Sequence, residues 1–334
     1  MTELAAASPD LYFDTIFAYQ RAGALKSALD LNLFTAIDEG AHTAAELAGR
    51  CRAPVRGIRI LCDYLTTIAF LTKSGDRYDL TADTATFLSR RSPAYLGSTA
   101  EFLYSPKLTG YFARLTDTIR RGRLEDDTMV ADENPEWVQF ARAMVPMMMP
   151  AAQAIADLLG TQPAPRRVLD LAAGHGIFGI VLAQRNPAAQ VVAVDWPGVL
   201  AVASENAQRF GVTDRHRTQS GDAFQVEYGA GYDVALLTNF LHHFDAATCT
   251  TLLRKVADAL KPGGKVVILE FVPNDDRVSP PMAAGFALTM LAGTPAGDAY
   301  TLRELRQILA DAGFTGDVTA HALPTPETVV VATK

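Results

Sequence analysis

The chain has 334 residues, enough for roughly two domains at about 150 residues each, and a core of that size needs no disulfide or metal staple. Hydrophobic residues make up 49% of it and charged residues 20%, which excludes a disordered or low-complexity protein. With 30 Lys and Arg against 37 Asp and Glu the net charge is −7, which disfavours nucleic acid or any other polyanionic partner.

The N-terminal stretch MTELAAASPDLYFDTI lacks a basic start followed by an apolar run, so no signal peptide is expected. From residue 11 to 159 the periodicity is mostly helical, without strand–helix alternation. Within HTAAELAG (42–49), Thr43 reads as an N-cap, and Glu46 three residues on completes a capping box. A second helix is expected from Pro54, taken as its N1 residue, through Ile58, Leu61, Leu65 and Ile68. AFLTKSGDRYDLT then alternates about a Ser74-Gly75-Asp76 turn, as a hairpin does. Helix, turn, helix and hairpin in that order spell a winged helix-turn-helix. Residues 98–158 read as helices rich in Phe, Tyr and Met, interrupted by the charged loop RRGRLEDD (120–127). Cys51, Cys62 and Cys249 form no CxxC pair, which fits a reducing, cytoplasmic compartment.

From Arg167 the texture changes. VLDLA (168–172), VVAVD (191–195), DVALLTN (233–239) and GKVVILEF (264–271) are apolar runs bounded by turn signals, with helical stretches at 178–184, 199–210 and 246–260 between them. This pattern predicts an α/β Rossmann-like sheet, mostly parallel and covered by helices on both faces. TVVVATK reads as a last, antiparallel strand paired near Asp317 to His321. The uncharged stretch from Ser279 to Gly297 is broken by Pro280, Pro281 and Pro295, so it is pocket or core rather than a membrane span.

The segment from Val168 to Gly179 carries the most chemistry. An apolar strand holds Asp170 near its end, the chain turns through Gly174 and Gly176, and a helix follows. Glycines there allow positive φ and let a ligand approach the backbone at the helix N-terminus. Asp195 closes the next strand, 19 residues after Gly176, where a carboxylate accepts both hydroxyls of a ribose. Gly174-x-Gly176-x-x-Gly179 also fits a dinucleotide fingerprint, so a nicotinamide oxidoreductase is the competing reading. Asp170 discriminates: a carboxylate at the mouth of the loop would repel a pyrophosphate, whereas it suits the ammonium and sulfonium of S-adenosyl-L-methionine. Adenine needs a flat apolar wall and an acceptor for its amino group, which Asp222 with Phe224 or Trp196 would supply. Phe178, Ala223 and Asn239, flanking these segments, are assigned to the same site.

With these residues in view, the second half resembles a class I S-adenosylmethionine-dependent methyltransferase. Nearly the whole chain resembles the O-methyltransferase family that includes plant phenylpropanoid and animal hydroxyindole enzymes and bacterial relatives. VLDLAAGHG matches the family's first motif, with Ala172 and Ala173 in place of its usual glycines. Gly221-Asp222-Ala223-Phe224 is similar to its adenine-binding segment, and LKPGGKVVILEF to its turn into the fifth strand. The resemblance implies S-adenosyl-L-homocysteine as product and a front domain that serves homodimerisation. It also implies a catalytic base at His242, oriented by a carboxylate at Glu270. The family follows its base with an acid and a Trp; here His243 and Phe244 stand there, leaving open which histidine faces inward. A second orienting carboxylate falls near Ala299, next to Asp298.

The chemistry agrees, because a phenol or enol is neutral near pH 7 and histidine is the natural base for its proton. His175, inside the loop, is expected to touch cofactor or solvent rather than to catalyse. Trp137, Phe140, Met144 and Met148, with His243, Met282, Phe286 and Met290, are candidates to wall a flat acceptor; core filling is the alternative for the methionines. No His, Cys or Asp cluster has metal-ligand spacing, so no metal is expected. Three further alternatives concern the acceptor and the front domain. The scaffold is compatible with C- or N-methylation. The winged helix, with Arg50, Arg52, Arg56 and Arg59, could bind DNA as a regulator. Against that, the apolar run IRILCDYLTTIAFL suits a buried dimer interface better than a groove. The expected domains are 1–105 (winged-helix dimerisation), 106–160 (helical linker and substrate lid) and 161–334 (cofactor and methyltransferase domain). The expected partners are a small-molecule acceptor and a second copy, with no nucleic acid and no membrane.

Overall fold

The computed structural model describes residues 7–125, 135–160 and 164–334. The chain separates into two compact units, Met1–Ser105 and Pro106–Lys334. The end of the charged loop expected at 120–127, Asp126 and Asp127, and the first six residues lie outside the described residues.

In the first unit, helices Ala18–Asp30, Leu33–Asp38, Ala44–Cys51 and Val55–Thr67 precede a hairpin of β1 (Leu71–Ser74) and β2 (Arg77–Leu80). The Thr43 hydroxyl accepts from the Glu46 amide at 3.3 Å and the Glu46 carboxylate accepts from the Thr43 amide at 2.8 Å, so the capping box forms as read. Pro54 sits one residue earlier than expected, at the N-cap, with extended ψ of 139°. The hairpin closes with Ser74 opposite Arg77, and the core gathers Leu33, Phe34, Leu47, Ile58, Leu65 and Tyr78. The first helix, Asp10–Ile16, buries none of its residues: Leu11, Tyr12 and Phe13 are all exposed.

The second unit opens with helices Pro106–Ala113, Leu115–Arg121, Pro135–Ala143 and Val145–Leu159. Its sheet then forms from β3 (Arg167–Leu171), β4 (Gln190–Asp195), β5 (His216–Ser220), β6 (Tyr232–Thr238), β7 (Leu260–Glu270), β8 (Val318–Ala322) and β9 (Thr328–Thr333). The spatial order is β5-β4-β3-β6-β7-β9-β8. Pairing is parallel from β5 through β7, while β9 runs antiparallel between β7 and β8. The apolar runs become strands because both faces of the sheet are covered: Leu169, Leu171, Ala235, Leu237, Val266 and Ile268 are fully buried. Sequence reasoning missed β5. It is an edge strand, HRTQS, with three of its residues exposed, so it lacks the apolar signal of its neighbours. The chain winds outward from β3 through β4 to β5, then resumes on the other side at β6. The β3/β6 boundary is therefore the switch point where open α/β sheets hold ligands.

Candidate active site

Two clusters meet at the C-terminal edge of the parallel strands. After β3 the chain turns with positive φ at Ala172 (51°), Gly174 (58°) and Gly176 (72°). Gly176 has two reasons to lack a side chain: its left-handed φ, and a Cβ there would lie 2.9 Å from the Ala203 Cβ. Asp195, ending β4, ties the loop down, with one carboxylate oxygen accepting from the Gly174 amide at 2.8 Å and the other from the Trp196 amide at 2.7 Å. Burial raises the Asp195 carboxyl to about 6 against the pull of those two N–H groups.

Asp170 does not stand at the mouth of the loop as expected. It is fully buried beneath it, with Oδ2 accepting from the Gly179 amide at 3.1 Å. Its Oδ1 has no partner among the described residues. Desolvation pushes this carboxyl up to about 8, opposed by the Gly179 N–H and aided by the charge of Asp195. A buried acid with one oxygen lacking a donor, under a loop of left-handed residues, fits a ligand that brings positive charge.

Around this floor the Gly221 amide donates to the Asp195 carbonyl at 3.0 Å, bringing Gly221 to Phe224 beside the loop. One Asp222 oxygen accepts from the Phe224 amide at 2.8 Å, which leaves the other for a ligand. The Phe224 ring packs edge-on against Phe244, centroids 5.1 Å apart, and Ala223 is buried. Trp196 joins a cluster with Trp137, Val138 and Ala141 of helix Pro135–Ala143. Asn239 adopts φ of 54°, and its amide NH2 faces the Met148 sulfur at 3.5 Å while its Oδ1 has no partner among the described residues. Phe178 is buried on the helix behind the loop, tilted on His175 at 5.8 Å, so it supports the loop from below. His175 is not at solvent: it is 2% exposed, its Nδ1 accepts from the Ile177 amide, and burial lowers it to about 4.

Beyond β6 a short 3-10 turn, Leu241–His243, carries both histidines inward. His242 Nδ1 lies 2.6 Å from Glu270 Oε2 at the end of β7. The other Glu270 oxygen accepts from the Phe240 amide at 3.1 Å and the His242 amide at 3.3 Å. With Nδ1 assigned as the protonated nitrogen by this partner, Nε2 keeps its lone pair. His243 is also buried; its ring stands edge-on to His242 at 4.3 Å and to Trp137 at 5.4 Å. Its Nδ1 has no partner among the described residues, an arrangement that costs about 1–3 kcal/mol for a buried polar atom.

Of the expected acceptor wall, Phe286 meets the His242 edge at 4.9 Å, and Phe140 stacks on His175 at 6.3 Å. Met144, Met148 and Met290 are buried. Met282 is not a wall residue of the single chain: it is 64% exposed, in the first turn of helix Pro281–Gly293, two turns before Met290 is covered. The Asp298 carboxylate is engaged by Arg277 at 3.3 Å and by the Ala299 amide, so it does not orient His242. Its backbone does contribute, since the Asp298 amide donates to the His242 carbonyl at 3.0 Å.

Two residues of this cluster were missed. Phe271 stacks on Phe286 at 4.0 Å, and its place directly after Glu270 was an available signal. At Gly297 any Cβ would collide with the His242 carbonyl, so only glycine lets this loop support the histidine turn. Nothing in TPAG announces that contact.

A doubly wound sheet, a left-handed loop over buried acids and a histidine–carboxylate pair on the same edge define the class: an S-adenosylmethionine-dependent methyltransferase. The comparisons refine it. A family model described as an O-methyltransferase domain matches residues 128–315, and one described as an O-methyltransferase dimerisation domain matches residues 13–90. The chain belongs to the O-methyltransferase family. It is 30% identical to the 3-hydroxy-5-methyl-1-naphthoate 3-O-methyltransferase of Streptomyces sahachiroi, over 91% of this chain and 89% of that one. It is also 30% identical to the tetracenomycin polyketide synthesis 8-O-methyl transferase of Streptomyces glaucescens, over 95% of this chain and 94% of that one. Among solved structures, a candidate O-methyltransferase from Nostoc punctiforme is 49% identical, with a TM-score of 0.95 over 99% of this chain and all of that one. Among the described residues, no helix is long and apolar enough to cross a membrane.

Proposed function

We propose that the protein methylates a hydroxyl of a small aromatic molecule, with His242 as general base and Glu270 as its positioning residue. The observation that carries this reading is the 2.6 Å contact between His242 Nδ1 and Glu270 on the strand edge that also holds the glycine loop. S-adenosyl-L-methionine, when bound, supplies an electrophilic methyl group. The chain's residues do the rest. Ala172 to Gly176 and Asp195 form the donor seat, and Asp170 beneath them adds negative charge once ionised. Asp222 and Phe224, with Trp196, frame the base. Glu270 keeps the imidazole turned and protonated on Nδ1, so Nε2 receives the hydroxyl proton. Trp137, Phe140 and Phe286 line the acceptor's flat faces and exclude water. The naphthoate and polyketide named for the two Streptomyces relatives support an acceptor of fused aromatic rings.

Residues 1–105 form the winged-helix dimerisation domain in this reading, 106–160 a helical cover over the acceptor, and 161–334 the cofactor domain. The exposed Leu11, Tyr12 and Phe13 support burial of the first helix against a second copy. The free cysteines support a reducing, cytoplasmic setting. The test is incubation with S-adenosylmethionine and a panel of phenols and naphthols, with products located by NMR. O-methyl products are expected; methyl groups on carbon or nitrogen alone would overturn the assignment of the acceptor atom.

A further inference from the structure

The two adjacent histidines differ in one respect that the reading above does not use. His242 has its Nδ1 held by Glu270, whereas His243, 8% exposed, has a buried Nδ1 with no partner among the described residues. Its ring is held in place by Trp137 on one side and His242 on the other. The carboxylates of this edge are committed elsewhere: Glu270 to His242 and the turn amides, Asp298 to Arg277 and Ala299. Burial, helped by the neighbouring His242, holds the His243 imidazole well below the usual histidine range, so it is neutral and carries one N–H.

We propose that His243 is a specificity-determining residue that donates to a carbonyl or carboxylate oxygen beside the methylated hydroxyl, selecting ortho-hydroxyaryl carbonyl acceptors. The proposal rests on the O-methylation reading and deepens it. An ionised acid at this position, as in the family pattern, can only accept hydrogen bonds; the neutral imidazole adds an N–H donor. In an ortho-hydroxyaryl carbonyl compound the hydroxyl proton is tied internally to the neighbouring oxygen. A donor on that oxygen competes for it and frees the proton for His242 Nε2. Two rings 4.3 Å apart suit a hydroxyl oxygen and the oxygen of a carbonyl carried on the adjacent ring carbon. With the proton assigned to Nδ1, the buried atom that has no partner among the described residues, this donor discriminates strongly, because an acceptor lacking the second oxygen leaves it unsatisfied.

The experiment compares kcat/KM for 3-hydroxy-2-naphthoate, 2-naphthol and 2,3-dihydroxynaphthalene in the wild type, His243→Phe and His243→Gln. Calorimetric binding of S-adenosylhomocysteine checks that each variant is folded. The wild type is expected to favour the hydroxynaphthoate over 2-naphthol by about tenfold to a hundredfold. His243→Phe is expected to erase that ratio, and His243→Gln, which keeps an N–H donor, to restore part of it. Equal use of the two acceptors by the wild type overturns the proposal whether or not the variants fold, and so does a preference that survives in His243→Phe. A wild type that favours dihydroxynaphthalene as strongly shows that any second oxygen suffices, which overturns the carbonyl class. Failure to methylate any of the three while still binding S-adenosylhomocysteine overturns the O-methylation reading itself.

Discussion

The end of β3 and the end of β6 lie side by side and are built differently. At β3 the work is done by backbone: left-handed residues at 172, 174 and 176 and amides that Asp195 and Asp170 receive. At β6 it is done by side chains drawn from separate segments, with His242 and His243 from the turn, Glu270 from β7, Phe286 from a later helix and Trp137 from an earlier one. A backbone site is contiguous in sequence and tolerates few substitutions in its turn. A side-chain site is dispersed, and its neighbours set the chemistry. The difference teaches that, in the function proposed above, donor binding and acceptor choice rest on separate parts of the chain.

That separation can be broken by mutation. His242→Ala carries the largest expected effect: turnover falls by about 10² to 10⁴ while S-adenosylhomocysteine affinity, measured by calorimetry, stays unchanged. If affinity fell equally, the two ends would not be independent. Gly176→Val is its mirror image. With φ of 72° and Ala203 in the way, it should cost about 2–4 kcal/mol of stability and abolish donor binding. Thermal melts with and without S-adenosylhomocysteine distinguish it from wild type. Glu270→Gln should lower turnover by roughly 10²-fold, since an amide no longer fixes the Nδ1 proton; donor affinity again reports whether the effect stays on its own side.

The smallest effect has the opposite sign. The Asp170 carboxyl is raised from 3.8 to about 8, so the folded chain holds a proton that the unfolded chain gives up. The stability this contributes is full below the unfolded value and is lost as pH rises through about 8. Asp170→Asn removes that dependence. It is expected to stabilise the ligand-free protein by about 1–2 kcal/mol above pH 8 and to weaken binding of the cationic donor more than that of its neutral-sulfur product. Melting temperatures across pH, paired with the two affinities, check both halves.

Much of this was legible beforehand where the signal is local. The Thr43–Glu46 box, the Gly75 turn, the alternation after Arg167 and the loop VLDLAAGHG each specify a short-range geometry, and short-range geometry follows from neighbouring residues. β5 escaped because an exposed edge strand lacks the apolar repeat that burial imposes. Asp170 was placed at the mouth of its loop because sequence gives spacing, not depth. Met282 and Met290 share a helix and looked alike, yet one is exposed and one buried.

Sequence alone determined the α/β order, the loop that bends at its glycines, and the residue types available for methyl transfer. Tertiary structure alone decided which of those residues meet: that Glu270 reaches His242, that Asp298 is taken by Arg277, and that Gly297 fits under the histidine turn. The reason is physical. Backbone conformation is set within a few residues, whereas a hydrogen-bond partner or a close-packed neighbour is fixed only when strands far apart in the chain come into register.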